Sequence, residues 1–191
     1  MDTDLYFFNL LEGCDLIIVC GLYKTGTSLV ANHIENQMGY NNPAKQSNPS
    51  ERGYSRNGNR YFTNECKRLR EINKDIIASG KPNSQNIKDY IKSIEFPSVI
   101  KDPLFCYTLK YWLNEIDKLN LKHLIIFTTR DQKETMTSWD ASPYTKNLLL
   151  SQRFETLCTS FNQQLAYCKK NNSPHYRIRF EDIDNHFTHL L

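Results

Sequence analysis

Residues 16–28 read LIIVCGLYKTGTS, and this stretch decides the fold. Its first part, Leu16 to Cys20, is an apolar run typical of a strand buried in a parallel sheet. A turn with Gly21 and Gly26 follows, and a helix is predicted to begin at Thr27. The backbone N–H groups at the start of a helix and the positive end of its dipole point to one place. The stretch therefore predicts a strand–loop–helix unit that binds a phosphate.

This loop differs at one position from the GxxxxGK(S/T) pattern of nucleoside-triphosphate-binding proteins. Gly21 and Gly26 have the required spacing and Ser28 fills the last position, but Thr27 stands where the lysine belongs. Lys24 lies two residues before Gly26 and would reach a phosphate from the other side of the loop. Taken alone, the segment is also consistent with a glycine-rich turn that binds no ligand, since such turns occur in many α/β proteins.

The order Lys24-Thr25-Gly26-Thr27-Ser28 resembles the KSGTT-like loop of sulfotransferases, which use 3'-phosphoadenosine 5'-phosphosulfate (PAPS). The resemblance implies that these five residues bind the 5'-phosphosulfate of PAPS. It also implies that Lys24 lies at the phosphate that leaves and takes part in catalysis.

A second segment, residues 122–138, contains another apolar, β-prone run from Leu124 to Thr128. Arg130 follows the carboxyl end of this predicted strand. Because ligands of open α/β sheets bind outside the carboxyl ends of the strands, we expect Arg130 and the loop of Lys24 at the same edge.

The residues after Arg130 predict a helix. Asp131 is expected to cap it, with Glu134 as the capping-box partner. The spacing of Arg130 and Ser138 resembles the 3'-phosphate site of the sulfotransferases, which implies that these two residues bind that phosphate. A surface ion pair is the alternative for Arg130 considered alone.

A third segment, residues 98–103, reads as a short strand that ends in Lys101-Asp102-Pro103. It is similar to the Lys-Asp-Pro region of bacterial sulfotransferases, which implies that Lys101 lies near the sulfuryl oxygens. Asp102 is the first candidate for the general base that deprotonates the acceptor, Glu51 is the second and His33 a remote third. As an alternative, Asp102 pairs with Lys101 or caps the next helix.

A fourth segment, residues 176–183, resembles a late strand of the family that is mainly structural. Together the segments follow the family's order from about residue 16 to residue 183. The resemblance implies an enzyme that moves a sulfuryl group from PAPS to a hydroxyl or amine of an unidentified small acceptor and releases the bisphosphate PAP. Two alternatives are a small P-loop kinase, against which Thr27 argues, and a non-catalytic PAP- or nucleotide-binding protein.

Strands separated by helices predict an α/β fold, namely a three-layer P-loop-like fold with a central parallel sheet flanked by helices. We expect residues 1–191 to form a single domain. Helices are predicted over residues 27–38, closed by Gly39, over about 61–79, closed by Gly80, in a segment capped by Ser84, and over about 146–170. Residues 40–60 predict a mobile loop on the acceptor side, with a plain solvated loop as the alternative.

Composition adds expectations about partners and location. A formal net charge of +3 without blocks of like charge fits an anionic cosubstrate and predicts no nucleic acid as partner. The six cysteines form no CxxC pair and the five histidines no metal-binding pattern, so we expect reduced thiols and no metal. Since no apolar run is long enough to span a membrane and residues 1–15 do not read as a signal peptide, a cytoplasmic location is expected. The oligomeric state stays open.

Overall fold

The computed structural model describes residues 3–46, 53–54, 60–61, 66–140 and 150–188. In this part of the chain the helices are α1 (Thr3–Leu11), α2 (Thr27–Met38), α3 (Pro43–Gln46), α4 (Lys67–Ser79), α5 (Ser84–Ser93), α6 (Phe105–Lys118), α7 (Gln132–Asp140), α8 (Leu150–Lys170) and α9 (Ile183–Thr188). The strands are β1 (Leu16–Gly21), β2 (Gly53–Tyr54), β3 (Arg60–Tyr61), β4 (Ser98–Lys101), β5 (His123–Thr129) and β6 (His175–Arg179).

Four parallel strands form the central sheet, in the order β4-β1-β5-β6. Strand β1 lies between β4 and β5, with Ile18 opposite Ile100 on one side and Ile125 on the other. All six residues of β1 are buried. This sheet confirms the predicted α/β fold, and it places the carboxyl ends of β4, β1 and β5 side by side.

Alternating residues of β1 enter two separate cores, because successive side chains of a strand point to opposite faces. Ile18 and Cys20 pack with the helices α4, α5, α6 and α8 on one face. Ile17 and Val19 pack with α1, α2 and α9 on the other face. Helices therefore cover both faces of the sheet, which gives the three layers that the sequence predicted.

Helix α2 has the predicted bounds. Gly39 ends it in the left-handed conformation, with φ of 70°, and donates its N–H to the carbonyl oxygen of Glu35 at 3.1 Å. Gly80 ends α4 in the same manner, with φ of 67°. Both are the expected C-terminal glycines, since only a residue without a Cβ adopts this conformation at little cost.

Other helix bounds differ from the predictions. Helix α4 begins at Lys67 and not near Tyr61, because Tyr61 pairs with Gly53 in the antiparallel β2–β3 ladder. Asn83 caps α5 in place of Ser84: its side-chain oxygen accepts the N–H groups of Gln85 at 3.1 Å and Asn86 at 3.2 Å. Helix α8 begins at Leu150, and the predicted start at residue 146 lies outside the described residues.

Two further findings concern the amino-terminal half. Helix α1, which the sequence analysis did not predict, buries Phe7 and Leu11 completely in the core. Within residues 40–60, helix α3 and strands β2 and β3 form regular structure where a loop was predicted. Glu51, the second candidate for the general base, lies outside the described residues.

All six cysteines are free, as predicted, and Cys14, Cys20, Cys106 and Cys168 are buried among apolar side chains. None of the described helices combines the length and the apolar character needed to cross a bilayer.

Candidate functional site

The loop between β1 and α2 has two residues in the left-handed region, Lys24 with φ of 70° and Gly26 with φ of 89°. Such a φ is uncommon for a residue with a side chain, so Lys24 is held there by its surroundings. A Cβ on Gly26 would lie 2.5 Å from Ile183 Cδ1 and 2.8 Å from Phe180 Cδ2. Glycine is therefore required at this position both by its backbone conformation and by the close approach of two side chains.

Thr25 fastens this loop to the neighbouring strand. Its hydroxyl donates to the carbonyl oxygen of Leu22 at 2.7 Å and lies 2.9 Å from the hydroxyl oxygen of Thr128 at the end of β5. The N–H of Thr25 also donates to Leu22, at 3.3 Å. The Thr25 side chain thus stabilises the conformation of the loop. Its role as a phosphate ligand stays a prediction.

Thr27 and Ser28 are the first residues of α2, where backbone N–H groups have no carbonyl one turn earlier in the helix. Thr27 is buried and Ser28 is half-buried. The helix axis places the positive end of its dipole at the carboxyl edge of the sheet, beside the exposed Lys24. This geometry suits the binding of a phosphate group.

Arg130 follows β5 and lies against this loop. Its Nη1 donates to the carbonyl oxygen of Lys24 at 3.5 Å, and its Nε donates to Glu134 Oε2 at 3.1 Å. The guanidinium carbon lies 4.2 Å from the centroid of the Phe180 ring, a cation–π contact. The structure therefore brings Arg130 and the lysine-bearing loop to one edge of the sheet, as the sequence predicted.

The start of α7 agrees with only half of the predicted capping box. Asp131 Oδ1 accepts the N–H of Glu134 at 3.1 Å, so Asp131 is the cap. The carboxylate of Glu134 forms an ion pair with Arg130 in place of the predicted hydrogen bond to the backbone N–H of Asp131. Ser138 is half-buried and lies four residues after Glu134, on the same face of the helix. Its binding of a 3'-phosphate stays a prediction.

Lys101 lies at the carboxyl end of β4, opposite Val19 of β1, and is only 3% exposed. The pKa of its ammonium group is lowered from 10.5 to about 7, chiefly by burial; the Asp102 charge opposes this effect, and the Arg70 charge adds to it. A lysine of this kind exchanges its proton near neutral pH. It lies one strand away from the loop that contains Lys24.

Asp102 has no exposed surface. Its Oδ1 accepts the N–H of Leu104 at 2.9 Å, ahead of α6, and its Oδ2 accepts a hydrogen bond from Asn73 Nδ2 at 3.2 Å. Burial raises the pKa of this carboxyl group, against these hydrogen bonds and the charges of Arg70 and Lys101. Asp102 does not cap α6 as the alternative proposed, since Leu104 is the N-cap residue and has no side-chain cap; Asp102 accepts the N–H of Leu104 itself. These contacts hold the carboxylate inside the protein, and its role as general base stays a prediction.

His33 is on α2 and faces α9. Its Nε2 is 3.3 Å from Asp184 Oδ1, and its ring is stacked on Phe187 with centroids 4.6 Å apart. These contacts hold the His33 ring against α9, and its role as a general base stays a prediction.

Sequence reasoning missed Phe180 and Arg70. Phe180 contacts both Gly26 and Arg130, although its segment was interpreted as mainly structural. Arg70, on α4, acts electrostatically on Lys101 and on the Tyr23 side chain of the loop. No spacing in the sequence could have indicated these contacts, because they join segments that are distant along the chain.

In the ranges that the structure describes, no group of three or more His, Cys, Asp and Glu side chains is arranged to hold a metal ion.

The fold and the loop together define a P-loop-like α/β protein. No protein-family model matches the sequence, and no curated protein matches it. Among solved structures, the chain is similar to deoxyadenosine kinase from M. mycoides with bound dCTP, with 18% identity, a TM-score of 0.47, and coverage of 92% of this chain and 96% of that one.

The chain is also similar to deoxyadenosine kinase from M. mycoides with the products dCMP and a flexible dCDP bound. Here the identity is 19% and the TM-score 0.48, over 92% of this chain and 95% of that one.

Proposed function

We propose that this protein is a sulfotransferase that moves a sulfuryl group from PAPS to a hydroxyl or amine of a small acceptor and releases PAP. The observation that carries the proposal is the contact of Arg130 with the backbone of Lys24. The contact brings the guanidinium group beside the loop that is proposed to bind the 5'-phosphate, because the two segments follow the neighbouring strands β5 and β1. Adenosine 3',5'-bisphosphate has one phosphate for each of these two binding groups, and an arginine suits a two-point grip on a phosphate.

In this reaction the bond between sulfur and the bridging oxygen of the phosphosulfate breaks. A bond between sulfur and the acceptor atom forms, and the acceptor loses its proton to a base. Negative charge builds up on the bridging oxygen as PAP leaves. By analogy with phosphoryl transfer, the protein mainly positions the two substrates and neutralises this charge. Lys24 would neutralise that oxygen and Lys101 the sulfuryl oxygens, while Arg130 and Ser138 would hold the 3'-phosphate.

A small P-loop kinase is the second candidate, because such kinases use the same strand–loop–helix arrangement to bind phosphates. The two solved structures described above are kinases, which agrees with this candidate. The residues of the loop favour sulfuryl transfer, since Thr27 has no ammonium group to place on a nucleoside triphosphate. The third candidate, a protein that binds PAP without catalysis, is supported by the complete burial of Asp102.

A thermal-shift experiment with PAP and with ATP plus Mg²⁺ separates the first two candidates. A ligand at about a hundred times its Kd stabilises a protein by about 2.7 kcal/mol, which moves the unfolding midpoint by several degrees. We expect this shift with PAP. Stabilisation by ATP plus Mg²⁺ without an effect of PAP would establish the kinase.

Transfer itself is measured by mass spectrometry with isotope-labelled PAPS and a panel of small hydroxylated and amino compounds. Lys24→Ala is expected to abolish the sulfated product without loss of folding. The matched control is Lys122→Ala, an exposed lysine before the amino end of β5, at the opposite edge of the sheet. If PAP binds but no compound is sulfated, the protein binds PAP without catalysis; full activity of Lys24→Ala would remove this lysine from the mechanism.

A further inference from the structure

The segment that follows β6 lies beside Arg130. Strands β5 and β6 are parallel neighbours, and their pairing sets Thr129 opposite Arg179. Arg130 and Phe180 are the next residues along the chain, so they leave the sheet side by side at its carboxyl edge. Phe180 is the first residue of a 3₁₀ helix, Phe180–Asp182, which leads into α9. The register of the two strands therefore determines which aromatic residue is next to the arginine.

The Phe180 ring contacts both parts of the proposed site. The guanidinium carbon of Arg130 lies 4.2 Å from the centroid of this ring. A Cβ on Gly26 would lie 2.8 Å from Cδ2 and 3.4 Å from Cε2 of the same ring. The ring therefore packs against the backbone of the Lys24 loop and, at the same time, against the guanidinium group. Its position is fixed by the loop, and the ring in turn fixes the guanidinium group relative to the loop.

Three contacts from three different segments hold the Arg130 guanidinium group. Two of them are hydrogen bonds, from Nε to Glu134 Oε2 at 3.1 Å and from Nη1 to the carbonyl oxygen of Lys24 at 3.5 Å. The third is the Phe180 ring, which holds the group without using an N–H donor. Only 21% of the Arg130 side chain is exposed, and a cation–π contact is stronger where water is excluded. Because a phosphate is bound through N–H donors, the ring can hold the arginine and still leave donors to the phosphate.

We propose that Phe180 is a positioning residue, which holds Arg130 beside the Lys24 loop in the place where it binds the 3'-phosphate of PAP. The inference rests on the proposed function and adds a residue that acts through Arg130 and not on the nucleotide itself. An arginine side chain loses the freedom of several rotatable bonds when it binds a phosphate. A ring that already holds the guanidinium group lowers this cost, so the 3'-phosphate binds more tightly. AMP has no 3'-phosphate and gains nothing from the ring.

The experiment is a double-mutant cycle, in which calorimetry gives the Kd of PAP and of AMP for the wild type, Phe180→Leu, Arg130→Ala and the double variant. We expect Phe180→Leu alone to weaken the binding of PAP about fivefold and that of AMP less than about twofold. In the Arg130→Ala background the same substitution is expected to change the Kd of PAP less than about twofold, because no guanidinium group is left to hold. Phe180→Tyr keeps the aromatic ring and is expected to keep the wild-type affinity. Phe180→Met takes the place of Phe180→Leu if that variant does not fold.

Phe8→Leu is the matched control for the loss of a ring. Phe8 is half-buried like Phe180 and packs against the same core, but its described ring contacts are with Phe7 and Phe187. We expect this variant to bind both nucleotides as the wild type does. Three results with Phe180→Leu would overturn the inference and leave the proposed function intact: an unchanged Kd of PAP, an equal loss for PAP and AMP, or the same loss of PAP binding with and without Arg130.

A wild-type protein that binds PAP no more tightly than AMP would overturn the proposed function instead. The positioning of Arg130 is then judged by NMR from its Nε–H signal, which Arg130→Ala identifies by its loss. An aromatic ring shifts the signals of nearby protons, so a signal that moves in Phe180→Leu and stays in place in Phe180→Tyr would support the positioning. A signal that stays in place in Phe180→Leu would overturn the inference as well.

Discussion

Arg130 Nη1 lies 3.5 Å from the carbonyl oxygen of Lys24, although 106 positions separate the two residues in the chain. The contact follows from the sheet, in which β1 and β5 are parallel neighbours and Gly21 is paired with Thr128. Both strands end at the same edge, so the segments that follow them meet there. The loop of Lys24 and Arg130, which are proposed to bind the two phosphates of PAP, therefore lie together at one edge of the sheet.

Gly26→Ala tests whether the loop requires its glycine. The new Cβ would meet Ile183 and Phe180 at less than 3 Å, and its backbone would stay left-handed. We expect a loss of about 2–4 kcal/mol in the free energy of unfolding, from left-handed strain and overpacking together. Urea denaturation measures this loss.

The control for this substitution is Gly39→Ala. Gly39 has φ of 70°, and nothing lies within 4 Å of the place of its Cβ. Only the backbone strain applies there, and we expect a loss of about 1 kcal/mol. Equal losses for the two variants would show that Phe180 and Ile183 do not restrict the loop.

Asn73→Ala tests the buried hydrogen-bond network beneath the proposed site. Asn73 Oδ1 accepts from Trp112 Nε1 at 2.8 Å and from the Thr108 hydroxyl at 2.7 Å, and its amide donates to Asp102. Its removal leaves buried polar groups without a partner, which we expect to cost about 3 kcal/mol of unfolding free energy.

Chemical denaturation of Asn114→Ala provides the comparison for the network. Asn114 lies on the exposed side of α6 and accepts one hydrogen bond, from the Tyr167 hydroxyl at 2.9 Å. A change of about 0.5 kcal/mol or less is expected for this surface position. A similarly small change in Asn73→Ala would contradict the role assigned to the network.

Lys101 makes stability depend on pH. Its pKa is about 7 in the folded protein, against an ordinary value of 10.5. Between these pH values the unfolded chain binds more protons at this site than the folded one does, so stability rises with pH; below about pH 7 the full cost of the buried charge applies.

Lys101→Met removes this group while it keeps an apolar side chain of similar length. The unfolding free energy of the wild type minus that of the variant is expected to rise by about 1.4 kcal/mol per pH unit from about pH 7 to about pH 10. Denaturant titrations at several pH values in this range give the slope. A difference that does not change with pH would show that Lys101 is not held in a desolvated place.

The sequence predicted the sheet and the meeting of Arg130 with the Lys24 loop at one edge, because both depend on local signals. The run of Leu16 to Cys20 and the glycine spacing after it fix a buried strand and a tight loop. Arg130 was found because a residue that follows a parallel strand must lie at the carboxyl edge. Gly39 and Gly80 were found because they end periodic apolar patterns.

What the sequence did not predict depends on contacts between distant elements. The position of Arg70 depends on how α4 packs against β4, and no local sequence pattern indicates this packing. Asp102 was the first candidate for a base, but its burial follows from Asn73 and from the start of α6. Helix α1 was missed because Phe7 and Leu11 become core residues only when α2 and α9 pack against them.

The most direct test of the central claim is the affinity of PAP and of AMP for the wild type and for Arg130→Ala, measured by calorimetry. AMP lacks the 3'-phosphate, so the ratio of the two affinities reports on the group that Arg130 is proposed to bind. We predict that the substitution weakens the binding of PAP about ten- to a hundredfold, as expected for the loss of charge-assisted hydrogen bonds. The binding of AMP is expected to weaken by about twofold or less. An equal loss for both nucleotides would contradict the account.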